Sequence, residues 1–162
     1  MNPPRHRGYW VILLTLVAAL GLAIFPLPSW ARPYRPDWVL LVLLYWCMAL
    51  PTRVGVGTAW TLGLLLDVLK GTLLGQHGLG LAVVAFLMLK LHQRIRVYPL
   101  WQQALSIGML LTLNQLFMLW VNGILGRPGI DWSYWIPSLI GMILWPWIFI
   151  LLRDLRRRFR VH

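Results

Sequence analysis

The chain has 162 residues, 59% of them hydrophobic and 12% charged, with 15 Lys and Arg against 4 Asp and Glu. Ordinary soluble domains carry about 25% charged residues, so this chain has too little polar side chain to clothe a water-soluble globule. A net charge of +11 would suggest nucleic acid in a soluble protein, but here the cations punctuate apolar blocks and no nucleic-acid partner is expected. The one cysteine, Cys47, sits inside a block, which excludes a disulfide framework and a multi-cysteine metal site.

Six apolar blocks predict an all-α integral membrane protein with about six transmembrane helices, a single polytopic domain over 1–162. Arg5 and Arg7 precede the first, 9–26, which Pro26 and Pro28 stop. Ser29, Trp30 and Ala31 carry the small-x-small pattern of a signal peptidase site, yet the proline stop favours an uncleaved span. The second, 38–50, starts after Pro36 and Asp37 and stops at Pro51. As a helix it reaches about 20 Å, short of a hydrocarbon core of about 30 Å. With the third block, 54–69, it forms a hairpin that either crosses a thinned or protein-lined region or dips in and returns.

The fourth block is 73–90. Beyond it Leu91, Ile95 and Val97 alternate with His92, Arg94 and Arg96, a pattern for a short amphipathic stretch on the inner surface. The fifth, 103–126, follows Trp101, Gln102 and Gln103 at the interface, and the sixth, 134–152, contains Pro146, a predicted kink. A basic tail, 153–162, closes the chain.

Six alternating blocks put 11 of the 15 cations on one side, namely Arg5, Arg7, Arg53, Lys90, Arg94, Arg96, Arg153, Arg156, Arg157, Arg158 and Arg160. Arg32, Arg35, Lys70 and Arg127 take the other. Retained loops are enriched in Lys and Arg, so both termini are expected in the cytoplasm. Aromatic residues fit the same frame: Tyr9, Trp10, Tyr98, Trp101, Trp145 and Trp147 near the inner face, Trp30, Tyr34, Trp132, Tyr134 and Trp135 near the outer one. Trp60, well inside its run, reads as a packed core residue.

Gly63, Asp67, Gly71 and Gly75 recur every four residues. On a continuous helix they line one face, where another backbone approaches closely. Asp67 at membrane depth needs a partner or a proton, and Lys70, three residues on, is the nearest candidate. Asn114 and Gln115, in mid-span of the fifth block, need hydrogen-bond partners in place of water; they serve as interhelical glue or face a groove that receives another protein's helix. Arg153, Arg156, Arg157, Arg158 and Arg160 directly follow a span and are expected to anchor it on anionic lipid. Glu is absent, the Asp residues are scattered, and His6, His77, His92 and His162 lack zinc-ligand spacing. No enzyme, metal or cofactor site is therefore readable, and His77, beside Gly78 and Gly80, reads as a loop histidine.

The run Arg35, Pro36, Asp37, Trp38, through Val39 to Tyr45, Ala49, Leu50 and Pro51 to Arg53, Val54, Val56, Gly57 and Thr58 closely resembles the MreD family of rod shape-determining proteins, in its gammaproteobacterial form. Leu100 to Leu105 and Leu144 to Phe149 match the same family in order, and the glycine and Asp67 pattern is similar to its third-helix signature. In the fifth block only hydropathy agrees, so Asn114 and Gln115 are not carried over. The resemblance implies a non-enzymatic scaffold of the bacterial inner membrane, in the elongation complex that inserts lateral-wall peptidoglycan. Its implied partners are MreC, bound through transmembrane and flanking segments, and indirectly MreB filaments, the RodA glycosyltransferase and its partner transpeptidase. It also implies a bundle similar to the substrate-binding subunits of energy-coupling-factor transporters. A rival reading stays open: a small-molecule or lipid-binding transport subunit with a pocket near Asp67, Lys70 and Trp60.

Overall fold

The computed structural model describes residues 9–26, 28, 30, 35, 37–50, 54–71, 75–124, 126 and 135–158. Among them are six α-helices and no strand: α1 (Tyr9–Ile24), α2 (Trp38–Ala49), α3 (Val56–Lys70), α4 (Gln76–Val97), α5 (Leu100–Ile124) and α6 (Ile136–Arg158). Expectations on Arg5, Arg7, Arg32, Arg53, Arg127, Arg160, Tyr34, Trp132, Tyr134, Pro36, Pro51, Ser29 and Ala31 lie outside the described residues. By length and composition α4, α5 and α6 are able to cross a membrane; α1 and α2 are shorter apolar helices, and α3, with 15 residues, reaches about 22 Å.

A helix that is apolar all round belongs in an interior, and α2 is one. Every residue from Val39 to Met48 is buried, because α1, α4, α5 and α6 all touch it. Its 12 residues span about 18 Å, and protein surrounds them on all sides. Asp37 starts it by accepting the Leu40 N–H at 3.3 Å, an N-cap. At the other end Arg96 donates to the carbonyls of Met48 at 2.5 Å and Ala49 at 3.5 Å, closing acceptors a helix leaves open.

Boundaries depart from the sequence reading at several points. The helix of the fourth block begins at Gln76 and continues to Val97, so Lys90 to Val97 prolongs α4 and is not a separate surface stretch. Helix α5 begins at Leu100, and Gln103, expected at the interface, is buried. Trp145, expected near the inner face, is fully buried, whereas Trp60, expected in the core, is 38% exposed. Helix α6 runs through Pro146 to Arg158, so most of the basic tail is helical.

Buried indoles need an acceptor for their N–H, and each of the two innermost finds one on another helix. Trp46 donates to Thr15 Oγ1 at 2.9 Å, and Thr15 donates to Ile12 O at 2.8 Å, which ties α2 to α1. Trp145 donates to Gln103 Oε1 at 2.9 Å, and Gln103 Nε2 donates to Ile95 O at 3.0 Å, which ties α6, α5 and α4 together. Gln103→Leu leaves that indole unpaired and takes one of two donors from Ile95 O, which keeps the Tyr98 N–H at 3.2 Å, and a loss of about 1–3 kcal/mol follows. The expected result is a lower thermal unfolding midpoint in detergent; an unchanged midpoint would show that the relay contributes nothing.

Candidate functional site

Gly63 and Asp67 lie one helical turn apart on the buried face of α3. A Cβ on Gly63 would stand 2.3 Å from Gly78 Cα, so only glycine lets α3 and α4 touch backbone to backbone. That contact delivers Asp67, 1% exposed, to the start of α4. Its Oδ2 accepts the Gly75 N–H at 2.8 Å; its Oδ1 accepts the His77 N–H at 2.9 Å and pairs with His77 Nδ1 at 2.7 Å. The first N–H groups of a helix have no partner within it and form its positive end. Gly75, at the N-cap, supplies no side-chain bond, and a carboxylate from the preceding helix takes that role.

This corrects three readings. The partner of Asp67 is His77 and the start of α4, not Lys70. His77 is a helical residue, not a loop histidine. The ridge covers only Gly63 and Asp67, because α3 stops at Lys70: Gly71 ends it with a left-handed φ of 69°, and Gly75 opens α4 with a φ of 98°. The ten-residue spacing from Asp67 to His77 becomes legible once the helix break at Gly71 is recognised.

Beside this clamp lies a cavity of about 220 Å³, lined among others by Ala23 of α1, Trp38 of α2, Lys70 of α3, His77 of α4, Asn114 of α5 and Ser138 of α6. It collects the last turns of α1 and α3 and the first turns of α2, α4 and α6. Arg35 and Asp37 also face it, each engaged with a helix end. Arg35 donates to Ala23 O at 2.5 Å and to Phe25 O, closing α1, while Asp37 caps α2. Asn114 is 5% exposed, with Nδ2 at 3.5 Å from Asp37 Oδ2. Its Oδ1 has no hydrogen-bond donor and lies against Gly80, where a Cβ would come within 2.5 Å. Gln115 accepts a hydrogen bond from the Ser138 hydroxyl. Asn114 thus bonds to the cap of α2 and Gln115 to α6. The rival pocket exists in part: it takes in Lys70, but neither Asp67 nor Trp60 lines it.

Two further surfaces complete the set. On the outside of the α5–α6 pair runs an apolar groove of about 610 Å³, lined by Gly108, Met109, Thr112, Leu113, Leu139 and Met142 among others. Ser138 borders both groove and cavity. At the opposite end of α6 the arginines diverge: Arg153 lies over the Phe149 ring at 5.6 Å, Arg156 is half-buried, and Arg157 and Arg158 are exposed. Among the described residues no cluster of three His, Cys, Asp or Glu is placed to hold a metal.

Apolar helices of crossing length, a polar cavity at one end and arginines at the other define a polytopic helical membrane protein. The family model for the rod shape-determining protein MreD matches residues 4–155. The chain is 32% identical over 154 residues to the rod shape-determining protein MreD of Haemophilus influenzae, covering 95% of each chain. It belongs to the MreD family of rod shape-determining proteins. No solved structure matches it, so the implied likeness to energy-coupling-factor subunits has no support from that comparison.

Proposed function

We propose that this chain takes part in determining rod cell shape as a non-enzymatic scaffold of the inner membrane, with both termini in the cytoplasm. In this reading it binds MreC within the bilayer and helps couple MreB to peptidoglycan synthesis. The observation that carries it is the family match over nearly the whole chain. The division of the cations supports the orientation, and the exposed apolar α5–α6 groove supports a membrane-embedded contact. Thr112, a small residue in the groove, lets a further helix approach closely, while Gly108 is already covered by Met142 of α6.

The test places bulk on the groove without touching the core. Met109 is 74% exposed and Leu113 38%, so the bundle is expected to fold with both changed to Trp. Recovery of co-expressed MreC with the purified chain is expected to fall roughly tenfold, a loss of about 1.4 kcal/mol. The same double exchange at Leu13 and Leu14, exposed on α1, is expected to leave recovery intact. Full recovery with the groove filled would remove the groove from the interface. A small-molecule or lipid-binding transport subunit remains the second reading, favoured by the polar cavity beside Lys70.

A further inference from the structure

The cavity where α2, α4 and α6 begin holds charges of both signs, and most of them are already matched. Asp37, in its wall, caps the start of α2, as Asp67, just outside it, caps the start of α4. Arg35 closes the end of α1. Lys70 is different: it lies on the stripe of α3 that carries Gly63 and Asp67, in the last turn, and lines the cavity. No hydrogen bond or ion pair joins its ammonium to any described residue. Asn114 adds a second, independent sign of a missing group. It is nine-tenths buried and lines the cavity, and the one acceptor its Nδ2 meets lies at 3.5 Å, the limit of a hydrogen bond. Three helix starts face the same space; Asp37 and Asp67 already cap those of α2 and α4, and the start of α6 favours negative charge. The Lys70 ammonium and the second hydrogen of the Asn114 NH2 group lack an acceptor here, and one oxyanion would serve both; the amide's Oδ1 lies against Gly80 and takes no part.

We propose that this cavity is a phosphate site that seats the headgroup of a phospholipid, with Lys70 as counter-charge and Asn114 as donor. The volume of about 220 Å³ corresponds to roughly seven water molecules, enough for a phosphate ester and too little for a helix. Position favours a lipid as the source. The cavity gathers the ends of five helices, where headgroups sit, reaches from Ala23 of α1 to Pro137 and Ser138 of α6, and extends inward to Asn114 in the middle of α5. Helix α1 packs chiefly on α2 and α3 and little on α6, so the lipid would enter between α1 and α6. Ile24 and Phe25, 47% and 59% exposed, offer apolar surface beside the opening. The proposal does not depend on the scaffold reading, since it concerns the chain alone.

The experiment uses the full chain, purified in detergent, titrated with phosphatidylglycerol and observed by native mass spectrometry. Lys70 is exposed, so Lys70→Gln, Lys70→Glu and Lys70→Arg are expected to fold. The wild type and Lys70→Arg retain a phosphatidylglycerol adduct; Lys70→Gln loses it roughly fivefold or more, the effect of one cation near a lipid phosphate, and Lys70→Glu loses it further. A chain with both Arg157→Gln and Arg158→Gln keeps the adduct, which separates this site from the basic end. Equal adducts in Lys70→Gln and wild type, or loss only in the double arginine variant, would overturn the proposal. So would a rise in unfolding midpoint with inorganic phosphate, absent in Lys70→Gln and without lipid adducts, because the anion would then be a free one. Shielding of the Lys70 amine from an acylating reagent by a bound protein, and not by phosphatidylglycerol, would overturn it in favour of a peptide carboxylate.

Discussion

Asp67→Asn is expected to destabilise this chain by about 2–4 kcal/mol, since hydrogen bonds to a charged group contribute about 1.5–3 kcal/mol each and an N-cap about 1. The carboxylate accepts two backbone N–H groups and meets the imidazole. An amide presents one oxygen, and its NH2 must then face a donor. The residue is buried, so water cannot take over the lost bonds. Thermal unfolding in detergent measures the loss, and recovery of co-expressed MreC is expected to fall with it. Lys70→Gln, at an exposed position with no partner among the described residues, is expected to stay within about 0.5 kcal/mol of wild type. Equal and small effects of both exchanges would show that the start of α4 does not need its cap.

Gly63→Ala should be as damaging for a different reason. The added methyl would lie 2.3 Å from Gly78 Cα and 2.4 Å from its nitrogen, where carbon atoms ordinarily stay about 3.5–4.0 Å apart. Both neighbours are backbone, so no rotamer change relieves the clash. Helices α3 and α4 must separate along their most extensive pairing, and Asp67 is drawn away from Gly75 and His77. Overpacking costs about 1–3 kcal/mol, and the weakened cap adds to it. Gly57→Ala is the matched control on the same helix, because a methyl there meets nothing within 4 Å; alanine's higher helix propensity makes it neutral or slightly stabilising. Similar unfolding midpoints for the two variants would refute the close crossing.

The helices themselves were legible from proline and glycine punctuation and from run lengths. Asp37 was readable as a helix start because Pro36 precedes it, and α2 as a helix in need of cover because it is short. Gly63 and Asp67 were legible as a close-packed face. The remaining features were hidden for physical reasons. Lys70 stood nearest to Asp67 in sequence, but Gly71 turns the chain back, and three-dimensional proximity then favours His77. Gln103 and Trp145 looked interfacial because polar and amphipathic residues flank spans in general, and only tertiary packing brings the two together across 42 positions. The cavity combines residues from all six helices, and no local pattern in the chain records such a convergence.

The enclosure of α2 bears on how the protein is made. A lone 12-residue segment is too short to hold a stable position across a bilayer, and its cover includes α6, which the ribosome completes about a hundred residues later. Insertion therefore cannot finish segment by segment in the order of synthesis. Early helices must wait, loosely placed, until the C-terminal one arrives and locks them, so a chain truncated before α6 should be cleared by membrane proteases rather than persist as a partial bundle.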